Sequence, residues 1–593
     1  MYSANFRIKL PEIQPTQDTS KNTKMLIIGG VMLSTKKFIV VALIFSLSLF
    51  ADGTTGKPVP GFADIHIHQM TEYAFGGGWL YGSHTGPQEE ALCACSGMND
   101  HGYLIGEGFL GIHLERTGGY PKFSGWPRWD SISHQQVHAD WLKQAHEDGL
   151  NIIVMSAVNF EPLAHVIPEK HRVKEWGCAD IPAIKRQIEA AWRFDKEHDW
   201  YEIALSPAEA RRIIHEGKLA VVLAIETSDP FGDNDLIKQL DEYYEMGVRS
   251  IQPVHQLNNR FSGAAPHHPI FYVFQAIRNM NNGDDKNEFT KVVKENLPAI
   301  YGARNWNELP PNVRQIAQKH MRGENDFGFK QDENGMNVVG LSDEGATLIK
   351  EMIKRNMLID IAHMSQRGVT TTYNISQQNK FYPLFVSHGH IREIMAGAKG
   401  EEEKSTSIEY AHVIASTGGM FGLRTGKDET LGYRKSPVKN CCHGSSVSFA
   451  QMYQFASREL NLQVAFASDL NGFITQILPR FDGKDACSAS GFNFEKKHQQ
   501  QLQGDRFANG VGSDFDTKGF AHIGLIGDVI RDLNNLGVKT NDLENSAEKF
   551  IRMWERCYDE NRRPVAYKVD LEKAKDTIEP YQTKEQRKAN MKK

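Results

Sequence analysis

The sequence predicts an α/β protein built on a (β/α)8 barrel, and three observations predict it. Eight runs rich in Val, Ile, Leu and Phe recur along the chain, each followed by material of helical period, the alternation expected of a parallel barrel. Most of these runs end on a side chain able to bind a metal or move a proton, and the carboxyl rim of the strands is where a barrel of this kind carries its chemistry. Finally, 593 residues that are 40% hydrophobic and 24% charged can bury a core of that size, which excludes disorder. A formal charge of −5 gives no basic excess for nucleic acid.

Taken in order, residues 1–31 are polar and patternless and read as an over-extended start, with Met32 as the true one. Residues 32–51, MLSTKKFIVVALIFSLSLFA, place Lys36 and Lys37 before an apolar stretch from Phe38 to Ala51, the layout of a secretory signal peptide. The stretch is shorter than the roughly 20 residues a membrane span needs. The expected mature chain is therefore exported, periplasmic or secreted, with no stable membrane span. Residues 61–560 read as one barrel domain and 561–593 as a polar tail.

The eight expected strands are residues 61–66, 151–158, 219–226, 249–255, 357–363, 382–388, 412–422 and 463–469. Between them, SPAEARRIIHEG (206–217) offers Ser206 as N-cap, Pro207 at the first helical position and Gly217 as a stop. LSDEGATLIKEMIKRN (341–356) offers Ser342 as cap, an acidic first turn and a basic last turn. Stretches at about 69–134, 260–335 and 470–520 are too long for simple connections; all follow strands, so they are expected over the catalytic face as lids or walls. The aromatic segment GGYPKFSGWPRWDSISHQQ (118–136) reads as lid packing rather than as a binding platform. The seven cysteines are Cys93, Cys95, Cys178, Cys441, Cys442, Cys487 and Cys557, an odd number that leaves at least one outside any pair within the chain. Cys93-Ala-Cys95 and Cys441-Cys442 lack zinc-finger spacing and read as loop staples.

The strand ends carry the candidate metal site. In a strand, residues i and i+2 face one side, so His66 and His68 can hold one cation together. Glu226 ends an apolar run where an unpaired, dry carboxylate would be costly, and a cation removes that cost. His363 and His388 end consecutive strands and can stand side by side, and Asp469 ends the eighth strand, which closes against the first. Asp514 in VGSDFD is rejected as an alternative to Asp469 because it follows FANG rather than a buried strand.

So ordered, the residues resemble the membrane dipeptidases, the renal-dipeptidase-like peptidase family M19 of the metal-dependent amidohydrolase superfamily. LAIE at Glu226 is similar to the family's Ile-Glu-Gly element, IDIAHMS to Ile-Asp-Leu-Ser-His, VSHGH to Ser-His-Ser, and ASDLNG to Ser-Asp-Phe-Asp-Gly. The resemblance covers about residues 61–475 without the insertions, and marks the chain as a divergent, bacterial-type member. It implies two zinc ions. His66, His68 and Asp469 would serve one, His363 and His388 the other, with Glu226 bridging and His255 contacting the substrate or its oxyanion. Two departures stand out: the family has His-x-Asp on the first strand where this chain has His-x-His, and the interval from Glu226 to His363 is much longer here. Arg392, four residues after His388, and Arg424 are the candidates for gripping the substrate carboxylate, and Arg392 is carried into the expected site.

The expected activity is cleavage of the amide bond of a dipeptide by a metal-bound hydroxide, with Asp469 as general base and then proton donor, and His255 at the developing oxyanion. A small peptide or amide is the expected partner, and a homo-oligomer is compatible with the sequence. Two alternatives stay open: another amidohydrolase acting on a lactone, phosphoester or acyl-amino acid, and an exported metal-containing binding protein without catalysis. Manganese or iron would accept the same ligands as zinc.

Overall fold

The computed structural model describes residues 26–28, 31–33, 56–95, 117–167, 169–280, 283–303, 306–319, 328–481 and 514–580. Eight parallel strands close into a barrel: β1 (Phe62–Ile67), β2 (Leu150–Asn159), β3 (Leu219–Thr227), β4 (Val248–Ile251), β5 (Leu358–Asp360), β6 (Leu384–Gly389), β7 (Met420–Arg424) and β8 (Gln463–Ala467). Each pairs with its neighbours in chain order, and β8 returns to β1 through Phe466 opposite Asp64. The strands are buried on both faces, which is why they read as near-continuous apolar runs. An extra short strand, Tyr201–Ile203, shares the edge of β3 with β4, pairing lower down at Leu219 to Val221.

Both helices singled out in the sequence form as their caps dictate. Ser206 accepts a hydrogen bond from the Glu209 N–H at 3.2 Å ahead of the helix Pro207–His215, and Gly217 turns the chain away at φ +80°. Ser342 accepts from the Gly345 N–H at 3.0 Å ahead of Asp343–Lys354.

Three expectations are corrected. The seventh run, 412–422, is not one strand: Ala411–Thr417 is a helix, ended by left-handed Gly418, and β7 starts only at Met420. A helix that is buried on most sides reads like a strand, and the Gly-Gly pair marks the boundary. The runs toward His255 and His363 also stop short, β4 at Ile251 and β5 at Asp360; Pro253 has no N–H for a ladder, and His363 adopts φ +62°. Nor is 561–580 a free polar tail. Ile578 bridges to Tyr433, the Val565 N–H bonds the Ser416 carbonyl, and Tyr567, Val569 and Leu571 pack on the core.

Cys93 and Cys95 are outside any disulfide, so no staple forms there, whereas at the second site Cys442 is disulfide-bonded and Cys441 is not. In the second insertion, the helices Pro269–Asn279, Gly283–Gly302 and Pro311–Lys319 follow β4. Much of the third insertion, residues 482–513, and part of the first, 96–116, lie outside the described residues. Residues 1–57 form a separate unit in which Leu26–Ile28 pairs antiparallel with Val31–Leu33, and the rest of the expected signal segment lies outside the described residues. Among the described residues no helix is long and apolar enough to cross a membrane.

Two glycines fix how closely β7 approaches β6. A Cβ on Gly419 would lie 1.8 Å from the Leu384 carbonyl oxygen, and one on Gly422 would lie 1.7 Å from that of Ser387, the residue before His388. Gly422→Ala must therefore push β6 aside, and we expect it to lower stability by about 1–3 kcal/mol. Urea denaturation checks this; an unchanged midpoint would mean that the two strands are not held so tightly.

Candidate metal centre

Seven side chains meet at the carboxyl end of the barrel. His66 and His68 leave β1 on one face, and their Nε2 atoms stand 3.0 Å apart. Glu226, at the end of β3, places Oε2 3.0 Å from His66 Nε2 and 3.2 Å from His68 Nε2. Asp469, just past β8, brings Oδ1 to 3.3 Å from His68 Nε2 and 3.8 Å from His66 Nε2. The other Glu226 oxygen, Oε1, lies 3.4 Å from His363 Nε2 and 3.6 Å from the Nε2 atoms of His388 and His255. His363 and His388 approach each other at 2.9 Å between Nε2 atoms. All seven residues are buried.

These separations fit cations. Ligands about 2.0–2.1 Å from a tetrahedral zinc lie roughly 3.3–3.4 Å from one another, and the first group, His66, His68, Glu226 and Asp469, spans 3.0 to 3.8 Å. Glu226, His255 and His363 form a second such group around Oε1, with His388 beside it. The charge points the same way: although burial opposes it, the Asp469 and Glu226 carboxylates push the His68 imidazole up to about 10. Two dry carboxylates in contact with imidazoles call for positive charge, and divalent metal supplies it. Burial conversely pushes His255 down to about 4, which keeps that ring neutral.

Two buried aspartates absent from the sequence reading hold the ligands in place. Asp64 Oδ1 accepts from the His66 N–H at 3.2 Å and the Ser468 N–H at 3.0 Å, so one carboxylate fixes His66 and the residue before Asp469. Asp360 Oδ1 does the same on the opposite side, accepting from Ala362 and Ser387, which precede His363 and His388, both at 3.0 Å. Gln252 was also missed; its Nε2 donates to Glu226 Oε1 at 3.0 Å. A charged residue inside an apolar run, as in GFADIHIH and MLIDIAH, was the signal available for the aspartates.

His363 and Asp469 sit at φ +62° and +51°, a left-handed conformation that costs non-glycine residues energy and clusters at functional sites. Arg424 Nε lies 3.4 Å from Asp469 Oδ2. Arg392 is not brought to the cluster: its guanidinium donates to the carbonyls of Ser405 at 3.1 Å and Glu403 at 3.3 Å. Asp514 stands on an exposed helical turn, paired with Lys518 at 2.8 Å. Lys404, in a charge run that reads as solvated surface, reaches the centre instead, with Nζ 3.2 Å from His388 Nε2. Burial lowers that ammonium to about 8.

Residues 134–276 and 313–400 match the family model described as Membrane dipeptidase (Peptidase family M19). Over these segments the chain resembles the membrane dipeptidases, as a divergent membrane dipeptidase-like protein would, and the match supports a metallohydrolase. The M19 match covers less than half of the chain; it includes Glu226, His255, His363 and His388 and leaves out His66, His68, Lys404 and Asp469. No curated protein matches. Among solved structures, a dipeptidase described as an M19 metallopeptidase is 13% identical, covers 71% of this chain and 89% of its own, and has a TM-score of 0.42. The probable dipeptidase PvdM from Pseudomonas aeruginosa is 15% identical, with 71% and 88% covered and a TM-score of 0.40. A metallopeptidase from Rhodobacter sphaeroides, liganded with a phosphinate mimic of L-Ala-D-Ala, is 14% identical, with 71% and 90% covered and a TM-score of 0.37. Likenesses this distant carry no argument about chemistry, and the resemblance to M19 rests on the matched segments.

Proposed function

We propose that this chain is a member of M19, a zinc-dependent dipeptidase, exported from the cell, that hydrolyses the amide bond of small peptides. One observation carries the reading: two groups of ligand atoms share Glu226, one on each carboxylate oxygen, at the separations that a pair of cations needs. His66, His68 and Asp469 would hold the first ion, His363 and His388 the second. Two such ions, when bound, bring water's pKa down to roughly 7 and polarise a carbonyl. Zinc is preferred because imidazole and carboxylate ligands at tetrahedral spacing suit it.

The chain's own groups divide the remaining work. Asp469 Oδ1 faces His68 and takes a hydrogen bond from Asn471 Nδ2 at 2.7 Å, while Oδ2 faces Arg424. In this reading that carboxylate takes a proton from the attacking water and passes it to the leaving amine. His255, neutral by burial, offers a ring N–H to the oxygen on which charge develops. Arg424, partly exposed beside Asp469, is better placed than Arg392 for a substrate carboxylate. Export is supported by the disulfide at Cys442, a bond that persists in oxidising compartments.

The test is hydrolysis of L,L- and L,D-dipeptides by the purified chain, with and without a chelator, alongside lactone and phosphoester controls and metal stoichiometry. Chelator-sensitive dipeptide cleavage with two zinc ions per chain is expected. Zinc with cleavage only of the controls would move the substrate to another amidohydrolase class, and cleavage unaffected by chelation would remove metal from the reaction.

A further inference from the structure

We propose that Lys404 competes with the second cation for His388, so that the chain binds its two metal ions with unequal affinity. The inference rests on the metal centre proposed above. It starts from one atom: His388 Nε2 has a single lone pair, and Lys404 Nζ lies 3.2 Å from it and 3.3 Å from the His388 carbonyl oxygen.

The ring's tautomer follows from its two contacts. The Lys404 ammonium has only hydrogens to offer, so the Nε2 it meets carries the lone pair. Nδ1 then carries the ring hydrogen and donates to Ser387 Oγ at 3.0 Å. An imidazole lone pair either receives an N–H or binds a metal; it does not do both. A cation entering beside His363 and His388 must displace Lys404 from Nε2 and then tolerate an ammonium close by in a buried site.

Lys404 is held in that position by several contacts. Arg392 donates to the carbonyls on either side of it, those of Glu403 and Ser405. The Glu403 carboxylate accepts the Asn337 and Gln366 N–H groups, each at 2.7 Å. Thr406 is stitched to the extension of β6, its N–H to the His390 carbonyl and its carbonyl to the Arg392 N–H, both at 2.9 Å. The segment is anchored before and after the lysine, so the ammonium is presented to His388 by the backbone. In the first group the neighbouring donors, Asn471 Nδ2 at 2.7 Å and Arg424 Nε at 3.4 Å, go to the Asp469 carboxylate, whose oxygens have lone pairs to spare, while His66 Nε2 and His68 Nε2 face each other and two carboxylates.

The experiment is a titration of the metal-stripped full-length chain with zinc against a chromophoric chelator of known affinity, comparing wild type with Lys404→Met and Lys404→Gln. Wild type is expected to show one tight and one weaker equivalent. Lys404→Met should tighten the weaker by at least about tenfold and leave the tight one within about twofold, the latter serving as the control for folding. Lys404→Gln keeps an N–H donor without the charge and should tighten the second equivalent by less; it decides the matter if the methionine variant does not fold. A second equivalent unchanged or weakened in the folded variants overturns the role of Lys404. A wild-type chain that binds no zinc overturns the metal centre itself, and this role with it.

Discussion

Replacing Asp469 by Asn should lower turnover on the order of 10³-fold while the chain keeps its zinc, since a positioned general base contributes roughly 10²–10⁴-fold. Two effects compete in this variant. Asn loses the charge that helps to hold the first ion, but His66, His68 and Glu226 remain, and an amide oxygen at the Oδ1 position can still face His68 at its 3.3 Å separation. The lost basicity is not replaced, because nothing else in the first group can accept a proton while holding a cation. The variant therefore separates binding from catalysis: kcat for the best dipeptide is measured beside zinc content by elemental analysis. Turnover within about threefold of wild type would take Asp469 out of the proton transfer, and loss of zinc would make it chiefly a ligand.

Glu226→Gln should instead lose metal, and the first group should lose it before the second. Gln252 Nε2 donates to Glu226 Oε1 at 3.0 Å, so the new amide will turn its oxygen toward Gln252 and its NH2 toward His66 and His68. The first ion then meets a donor where it had an anionic ligand. We expect its affinity to fall on the order of 10²-fold or more, at or beyond the range produced by changes around metal ligands, with turnover falling alongside. Elemental analysis of the purified variant decides it: two zinc ions at full occupancy would be incompatible with a bridging carboxylate.

The barrel was legible because its strands are buried on both faces and so announce themselves as apolar runs, and because the side chains at their ends are costly to bury without a purpose. Glu226 after LAVVLAI is the clearest instance. What periodicity could not show was where a strand stops. The helix Ala411–Thr417 was absorbed into a strand because apolar content alone does not separate two buried elements. The side chains around the ligands were the least legible. Asp64 and Asp360 act through backbone N–H groups of neighbouring strands, a register that only the closed barrel defines. Lys404 lies in GEEEKSTS, where a lysine reads as solvated, and its approach to His388 depends on contacts with residues as far away as Asn337. Arg392 illustrates the converse. Its position after His388 suggested a hand on the substrate, yet it holds a loop.

The carboxylate shared by the two ligand groups stands at the end of the longest ladder in the barrel, where Ile152 to Asn159 run beside Ala220 to Thr227 without a break. His363 and Asp469, by contrast, stand beyond the ends of their strands in left-handed turns. Amides of β3 should be among the last to exchange with solvent deuterium, and those around His363 and Asp469 should exchange well before them. On warming, such a centre would come apart from its rim inward, releasing its terminal ligands while Glu226 was still fixed, and on cooling it would have a seed around which to reassemble.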